Sequence, residues 1–413
     1  MYIFYNFFTK FIILISPIVF FFRILYKKED PIRFLERFCI YGNDKEKSTS
    51  VWIHAASVGE LMSIVPILRK LEQQKKIKKI LLTTTTISSA NIFQKLKLKK
   101  TFHKYFPLDE NFVTNKFIKY WSPKIAIFVD SEIWPNMFNN LNVKKIPIII
   151  INARITKKSF ERWIILKKFA REVFSKISLA LPANQETSNY LKKFGVKNIQ
   201  ISGNLKFCGK QNIENKISIT IKKKFKNLKI WCASSTHRGE EELIFQLHKK
   251  LKKKHKKLIT VIIPRHINRV DEITDKIKIS NLNFAIHSSK KKIEKNTDIY
   301  LVDAYGLTSS FFNLSNITFI GGSLVKHGGQ NPLEPARQGN YVVSGPNIWN
   351  FSEIYEFLVK NNISTITSSL SKIEKIINSN LNKKISKYSK SKINNIGVDI
   401  LNKNLLQIRK YLP

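Results

Sequence analysis

Two doubly wound α/β domains behind a hydrophobic N-terminal anchor helix are the fold class this sequence predicts, on three observations. Short apolar, β-rich runs alternate with helical patterns at the spacing of parallel βαβ units. The alternation lapses in a polar, lysine-rich stretch at 204–228 and restarts at Lys229. An uncharged apolar run lies close to the N-terminus. The length of 413 residues agrees, since it accommodates two to three domains of roughly 150 residues each. The expected boundaries are an anchor at 1–28, a first domain at 29–205 and a second at 206–413 that includes terminal helices.

The anchor is the run FIILISPIVFFF at 11–22, preceded by Lys10 and followed by Arg23, Lys27 and Lys28. As a helix this run reaches about 18 Å, short of a hydrocarbon core roughly 30 Å thick. Extending it back to Met1 takes in Asn6 and Lys10, and Pro17 should bend it. It ends in Phe22 and Arg23 without the small residues of a cleavage site, so it reads as uncleaved. The cations after it favour the cytoplasmic side for the remaining chain, whether the segment spans the bilayer or lies on it. A buried core helix is the alternative reading.

In the first domain, VWIHA (51–55) reads as a buried strand, and Gly59-Glu60 open a helical pattern through Leu61, Ile64, Leu68 and Leu71. Further strands are expected at 79–83, 124–129, 146–151 and 177–181, with helices near 90–96, 135–141 and 160–174. In the second domain strands are expected at 230–233, 258–263, 299–302, 317–320 and 341–343, with helices near 240–253, 269–279 and 332–338. Two such Rossmann-like halves would face each other across a cleft, at the carboxyl ends of their sheets, where open α/β folds bind ligands.

An apolar content of 43%, with 12% aromatic residues, argues against a chain disordered throughout. Seventy-two Lys and Arg against 29 Asp and Glu leave a net charge of +43, which suits nucleic acid, anionic lipid or sugar phosphates. The basic residues are spread from end to end, with no nucleic-acid module or basic arm, so nucleic acid is not an expected partner. Cys39, Cys208 and Cys232 form no C-x-x-C pair, which argues against a disulfide framework or a zinc–cysteine site. The histidines show no H-x-x-x-H or H-E-x-x-H spacing, so no metal site is indicated.

Seven of the 14 glycines (Gly306, Gly321, Gly322, Gly328, Gly329, Gly339 and Gly345) fall within 40 residues of the second domain. Backbone approaches a ligand closely where side chains are absent, and the helix start after HGGQNP (327–332) would suit a phosphate. The structural alternative is an N-cap at Asn331, Pro332 in the first helical position and Glu334 closing a capping box. No G-x-G-x-x-G or Walker A motif points to a dinucleotide or ATP.

Glu60 begins a helix directly after a strand, where an acid can serve chemistry or simply complement the helix dipole. Asp130-Ser131-Glu132 repeat the arrangement after the strand at 124–129, which makes a carboxylate pair for general acid–base work plausible, although Trp134-Pro135 could merely start a helix. Ser234 to His237 and Pro264-Arg265-His266 put hydroxyls, imidazoles and a phosphate-gripping guanidinium at strand ends of the second domain.

Taken in order, WIHAASVGE (52–60), DSEIWPN (130–136), INARIT (151–156), SGNLKF (202–207), ASSTHRGEEE (233–242), PRH (264–266) and GGSLVKHGGQNPLEP (321–335) resemble the Kdo transferases. These are the 3-deoxy-D-manno-oct-2-ulosonic acid transferases of lipopolysaccharide assembly. The resemblance runs from the anchor to beyond Phe351. It implies a GT-B fold and transfer of Kdo from CMP-Kdo to the glucosamine disaccharide of a lipid A precursor, at the cytoplasmic face of the inner membrane. An amphiphilic, phosphorylated acceptor gives both anchor and basic surface a reason.

The resemblance further implies Glu60 as general base and Asp130 and Lys206 as transition-state stabilisers. It implies CMP-binding roles for Arg265-His266, Tyr305-Gly306-Leu307 and Asn331-Pro332-Leu333-Glu334, with inversion in a single displacement and no metal or other cofactor. The chain departs from the family pattern at four places. Asp130 stands where the family has Glu, one methylene longer, and Leu307 also replaces a Glu, leaving only backbone for contact there. Ile87-Ser88-Ser89 replace a threonine-proline-threonine-glycine-like turn, and Cys208 replaces an Asp.

Overall fold

The computed structural model describes residues 1–42, 49–209, 217–289 and 293–412. The chain divides into two compact units, Met1–Lys210 with Ile396–Pro413, and Gln211–Asn395. The division falls inside the lysine-rich stretch, but the C-terminal segment groups with the first unit, whereas the sequence pattern assigns it to the second. The physical reason lies in its partners. Cys208 Sγ donates to the Gly397 carbonyl (3.2 Å), and Tyr411 accepts from Asn198 Nδ2 (3.1 Å) and donates to the Ser178 carbonyl (3.2 Å).

In the first unit, β1 (Val51–His54), β2 (Ile80–Thr84), β3 (Thr101–Tyr105), β4 (Ala126–Val129), β5 (Ile148–Ala153) and β6 (Leu179–Pro182) form one parallel sheet in the order β3-β2-β1-β4-β5-β6. Helices cover both faces, so most strands are continuous apolar runs, buried throughout. The edge strand β3 alternates between buried and half-buried positions, and its Thr101, His103 and Lys104 mask it in the sequence pattern. Helices Asn111–Trp121 and Gln185–Lys193 are also additional to those the pattern predicts. The expected helix at 160–174 is two, Lys157–Ile165 and Lys167–Phe174, parted at Leu166, whose ψ of 43° leaves the helical region. Trp52, Phe117, Trp121, Phe128 and Phe138 fill the core.

The N-terminal helix, Tyr2–Leu25, is longer than the apolar run alone. Its 24 residues span about 36 Å, and it is long and apolar enough to cross a membrane by length and composition. It runs through Pro17 because the neighbouring hydroxyl compensates: Ser16 Oγ donates at 2.7 Å to the Ile13 carbonyl, the group that the missing Pro17 N–H would have bound. Both ends are tied to the first unit. Tyr5 donates to Asp109 Oδ2 (2.7 Å), Asn136 Nδ2 donates to Thr9 Oγ1 (3.3 Å) and Arg23 Nε donates to Glu29 Oε2 (3.1 Å). Most of its apolar side chains remain exposed, so it is not a core helix.

The second unit carries β7 (Lys229–Thr236), β8 (Leu258–Pro264), β9 (Phe284–Ile286), β10 (Ile299–Leu301), β11 (Ile317–Ile320), β12 (Tyr341–Ser344) and β13 (Ser364–Ile366), parallel in the order β13-β12-β11-β7-β8-β10-β9. The edge strands β9 and β13, three residues each, are too short for a pattern to register. In both sheets the strand order reverses beside the first strand, between β1 and β4 and between β7 and β11. That reversal opens a crevice at the carboxyl ends of the strands.

Candidate active site

Glu60 sits in the first turn of the helix Val58–Glu72, directly beyond β1. Ser57 caps that helix by accepting the Glu60 N–H (3.3 Å), and the Glu60 carboxylate reciprocates, accepting from Ser57 Oγ (2.8 Å) and from the Ala56 N–H (2.8 Å). The capping role and the candidate chemical role therefore fall on one side chain. Burial pushes its carboxyl from the usual 4.5 up to about 7, opposed by the Ser57 hydrogen bond and reinforced by the charges of Glu132 and Asp130. Those two acids lie beyond β4, so the reversal of strand order is what gathers three carboxylates from distant stretches of sequence.

Asp130 has a φ of 64°, a left-handed conformation that turns the chain sharply at the end of β4. Its carboxyl accepts from Ser131 Oγ (3.0 Å). Burial raises its pKa, while Ser131, Lys206 and Arg154 act in the opposite direction. Lys206, from a distant loop, is therefore close enough to Asp130 to act on it. Its short turn, Leu205–Phe207, is held by Asn152 Oδ1, which accepts the Leu205 N–H at 2.8 Å. Asn152 itself has a φ of 51° at an irregularity in the pairing of β5 with β6, a conformation asparagine tolerates better than most residues.

Sequence reasoning counts Glu132 only as a member of the acidic cluster Asp130-Ser131-Glu132 and assigns no role to His54 or Asn152. Glu132 Oε2 accepts from Trp134 Nε1 (2.9 Å) and faces His54 Nε2 (3.3 Å), a ring that is fully buried and whose Nδ1 contacts Thr83 Oγ1 (3.0 Å). All three residues lie inside the strings WIHAASVGE, DSEIWPN and INARIT, and their chemistry is the available signal.

In the second unit the expected nucleotide residues form two groups along the carboxyl edge of the sheet. Arg265 and His266 follow β8, both exposed, with the Arg265 N–H donating to the Thr236 carbonyl (3.1 Å). The His266 ring lies 6.3 Å from His237, which lies 4.3 Å from His327. Burial, His327, His266 and Arg265 together hold the His237 pKa below its usual value. Tyr305 is exposed, Gly306 takes a φ of 82° and Leu307 is buried, leading into the helix Thr308–Leu314. Thr308 Oγ1 donates to Glu334 Oε1 (3.1 Å), which joins this loop to the segment Asn331-Pro332-Leu333-Glu334.

The geometry here also differs from the capping box offered as the structural alternative. The Glu334 carboxylate turns to Thr308, the helix starts at Leu333 with Pro332 as its N-cap residue, and Asn331 Oδ1 accepts the Leu333 N–H (3.0 Å). The acid that organises the glycine-rich turn is Glu240, fully buried, which accepts four backbone N–H groups: His237 (3.0 Å), Gly322 (2.8 Å), Ser323 (3.0 Å) and Leu324 (3.0 Å). Gly321 is required by crowding, because a Cβ there would stand 2.3 Å from the Ser235 carbonyl oxygen. Among the described residues, no group of three or more His, Cys, Asp or Glu side chains could hold a metal ion.

Residues 32–208 match the family model described as 3-deoxy-D-manno-octulosonic-acid transferase (kdotransferase). The 3-deoxy-D-manno-octulosonic acid transferase of Haemophilus influenzae is 32% identical, over 98% of this chain and 96% of its own. That of Rickettsia bellii is 30% identical, over 98% of this chain and 99% of its own. The crystal structure of a UDP-GlcNAc 2-epimerase from Neisseria meningitidis, 13% identical, superposes with a TM-score of 0.59 over 86% of this chain and 98% of that one, a likeness of fold.

Proposed function

This chain belongs to the 3-deoxy-D-manno-octulosonic acid transferase family, a family of glycosyltransferases, and from that premise we propose that it transfers Kdo from CMP-Kdo to the glucosamine disaccharide of a lipid A precursor. The observation that carries the reading is Glu60, a carboxyl raised to about 7 and grouped with Asp130 and Glu132 where the first sheet reverses its order. A carboxylate poised near neutrality is matched to general base catalysis. Glu60 takes the proton of the acceptor hydroxyl as that oxygen bonds the anomeric carbon of Kdo from the face opposite the departing phosphate. The bond from the anomeric carbon to the phosphate oxygen breaks, CMP leaves, and the configuration inverts.

Lys206 offsets negative charge on the leaving phosphate or the donor carboxylate, and Asp130 favours the positive character that develops on the sugar. Arg265, His266 and the linked loops at 305–307 and 331–334 hold the cytidylate portion of the donor. The reading uses no metal. The N-terminal helix, bonded to the first unit at both ends, lies on the cytoplasmic surface of the inner membrane as a monotopic anchor, and the +43 charge adds attraction to anionic lipid.

Incubation of the purified chain with CMP-Kdo or with UDP-sugars, plus a lipid A precursor, tests the assignment by mass spectrometry of the product. Addition of Kdo from CMP-Kdo is expected. Turnover with a UDP-sugar and none with CMP-Kdo would overturn it.

A further inference from the structure

A cavity of about 720 Å³ lies between the N-terminal helix and the first sheet's loops, with Phe8, Phe11, Ile15 and Val19 on one wall and Thr85 and Leu108 on the other. The four helix residues recur at the spacing of a single helical face and extend along about 16 Å of the helix axis, the reach of a medium-length fatty acyl chain. They are apolar yet 60%, 54%, 38% and 49% exposed, so the protein alone does not cover them.

The polar part of the lining has its own asymmetry. Glu29, almost fully buried, pairs with both Arg23 (3.1 Å) and Arg37 (2.9 Å), which leaves one positive charge in excess. Arg37 is only 7% exposed, and its Nε has no hydrogen-bond partner among the described residues. That Nε is itself closed off by the surrounding protein, so it is the excess positive charge of two guanidiniums over one carboxylate that favours a carbonyl, hydroxyl or phosphate oxygen at this end of the cavity. The opposite wall adjoins Glu60: Thr85 donates from both N–H (3.1 Å) and Oγ1 (2.9 Å) to the Ala56 carbonyl, and the Ala56 N–H donates to the Glu60 carboxylate (2.8 Å).

We propose that this cavity is the binding site for one acyl chain of the acceptor lipid, with Arg37 meeting the polar atoms where that chain joins its sugar. The inference rests on the reading of a lipid-borne acceptor. It places the acyl chain against the helix and the sugar toward Glu60, so that the cavity selects acylated acceptors and orients their hydroxyl.

The test uses the full chain in two assays. In the first, an acylated, phosphorylated glucosamine disaccharide carrying a photoreactive diazirine on one acyl chain is irradiated with the protein in phosphatidylglycerol vesicles, and labelled peptides are mapped. Labelling at 8–20 and at Leu108, lost in Ile15→Trp, is expected; labelling elsewhere, or displacement by phosphatidylglycerol as readily as by unlabelled acceptor, overturns the site. This assay needs no turnover, so it separates the cavity from the donor assignment. In the second, Ile15→Trp should raise KM for the acylated acceptor about tenfold or more while leaving transfer to the deacylated disaccharide unchanged. Equal loss on both acceptors, or none on either, refutes an acyl site.

Discussion

His54 Nε2 stands 3.3 Å from Glu132 Oε2, and this contact joins the end of β1 to the loop after β4 at the point where the first sheet reverses its order. Glu132 is thereby fixed beside Glu60 and adds its charge to the burial that raises the Glu60 carboxyl. The acid–base character of the site is a property of this junction rather than of any one segment.

Replacing Glu60 tests its proposed role as base most directly. Glu60→Gln should lower turnover by about 10²- to 10⁴-fold, the usual range for removing general base catalysis, while CMP binding is retained. The rate of CMP release in the presence of acceptor measures it, and near-parental turnover would remove Glu60 from the mechanism.

The rate should also depend on pH with a definite sign. Glu60 must be ionised to accept a proton, so turnover should climb with pH and level off above about 7. Because the Glu132 charge raises the Glu60 pKa, Glu132→Gln should move that midpoint downward, and a midpoint that stays or rises contradicts the coupling. Stability runs the other way. Between the ordinary 4.5 and about 7 the native chain holds a proton that the unfolded chain has released, so this group's contribution falls as pH rises through that window. Urea midpoints of parent and Glu60→Gln across the same range would register the difference.

Lys206→Ala and Gly397→Ala separate chemistry from positioning. The lysine variant should slow transfer with little change in thermal midpoint, because the side chain acts on charge. At Gly397, in the helix Lys387–Arg409, an added Cβ would lie 2.2 Å from the Phe207 carbonyl oxygen, which forces this helix away from the turn that carries Lys206. Overpacking of this kind costs about 1–3 kcal/mol. Urea melts and transfer rates should show Gly397→Ala both destabilised and slowed; a stable, fully active variant would mean that this contact does not position the lysine.

In the second unit, Glu240→Gln replaces one accepting oxygen with an amide that cannot accept the N–H groups gathered on it. Leaving a buried donor unsatisfied costs about 1–3 kcal/mol, and the turn at Gly322 to Leu324 should loosen. Calorimetric titration with CMP should show affinity weakened about tenfold. Unchanged affinity would separate this turn from the nucleotide site.

Much of this architecture is legible in the amino-acid sequence. Central strands such as β5 are buried on both faces and therefore announce themselves as unbroken Ile and Val runs. Three of the four edge strands are not legible, β6 being the exception: β3 mixes Thr, His and Lys because one side of it is only partly covered, and β9 and β13 are too short to show a period. At the site, Glu60 and the acidic cluster of Asp130 and Glu132 stand out and the family resemblance points to Lys206, but Asn152 and Glu240 do not stand out, because a hydrogen bond to a backbone N–H far along the chain leaves no spacing in the sequence. The capping box that the sequence offers as an alternative at Asn331 and Glu334 shows the converse, since a local pattern gives way when Thr308 offers the carboxylate a nonlocal donor.

The amino-acid order by itself determined two alternating α/β halves, an apolar helix at the start and which acidic side chains stand at strand ends as candidates for acid–base chemistry. Those properties follow from periodicity and residue type, which are local. Tertiary structure alone decided that Glu60, Asp130 and Glu132 share one crevice, that Lys206 reaches them on a turn held by Asn152, and that the last stretch of chain returns to the first unit. The reason is that strand order and long-range hydrogen bonds bring together residues whose separation along the chain says nothing about their separation in space.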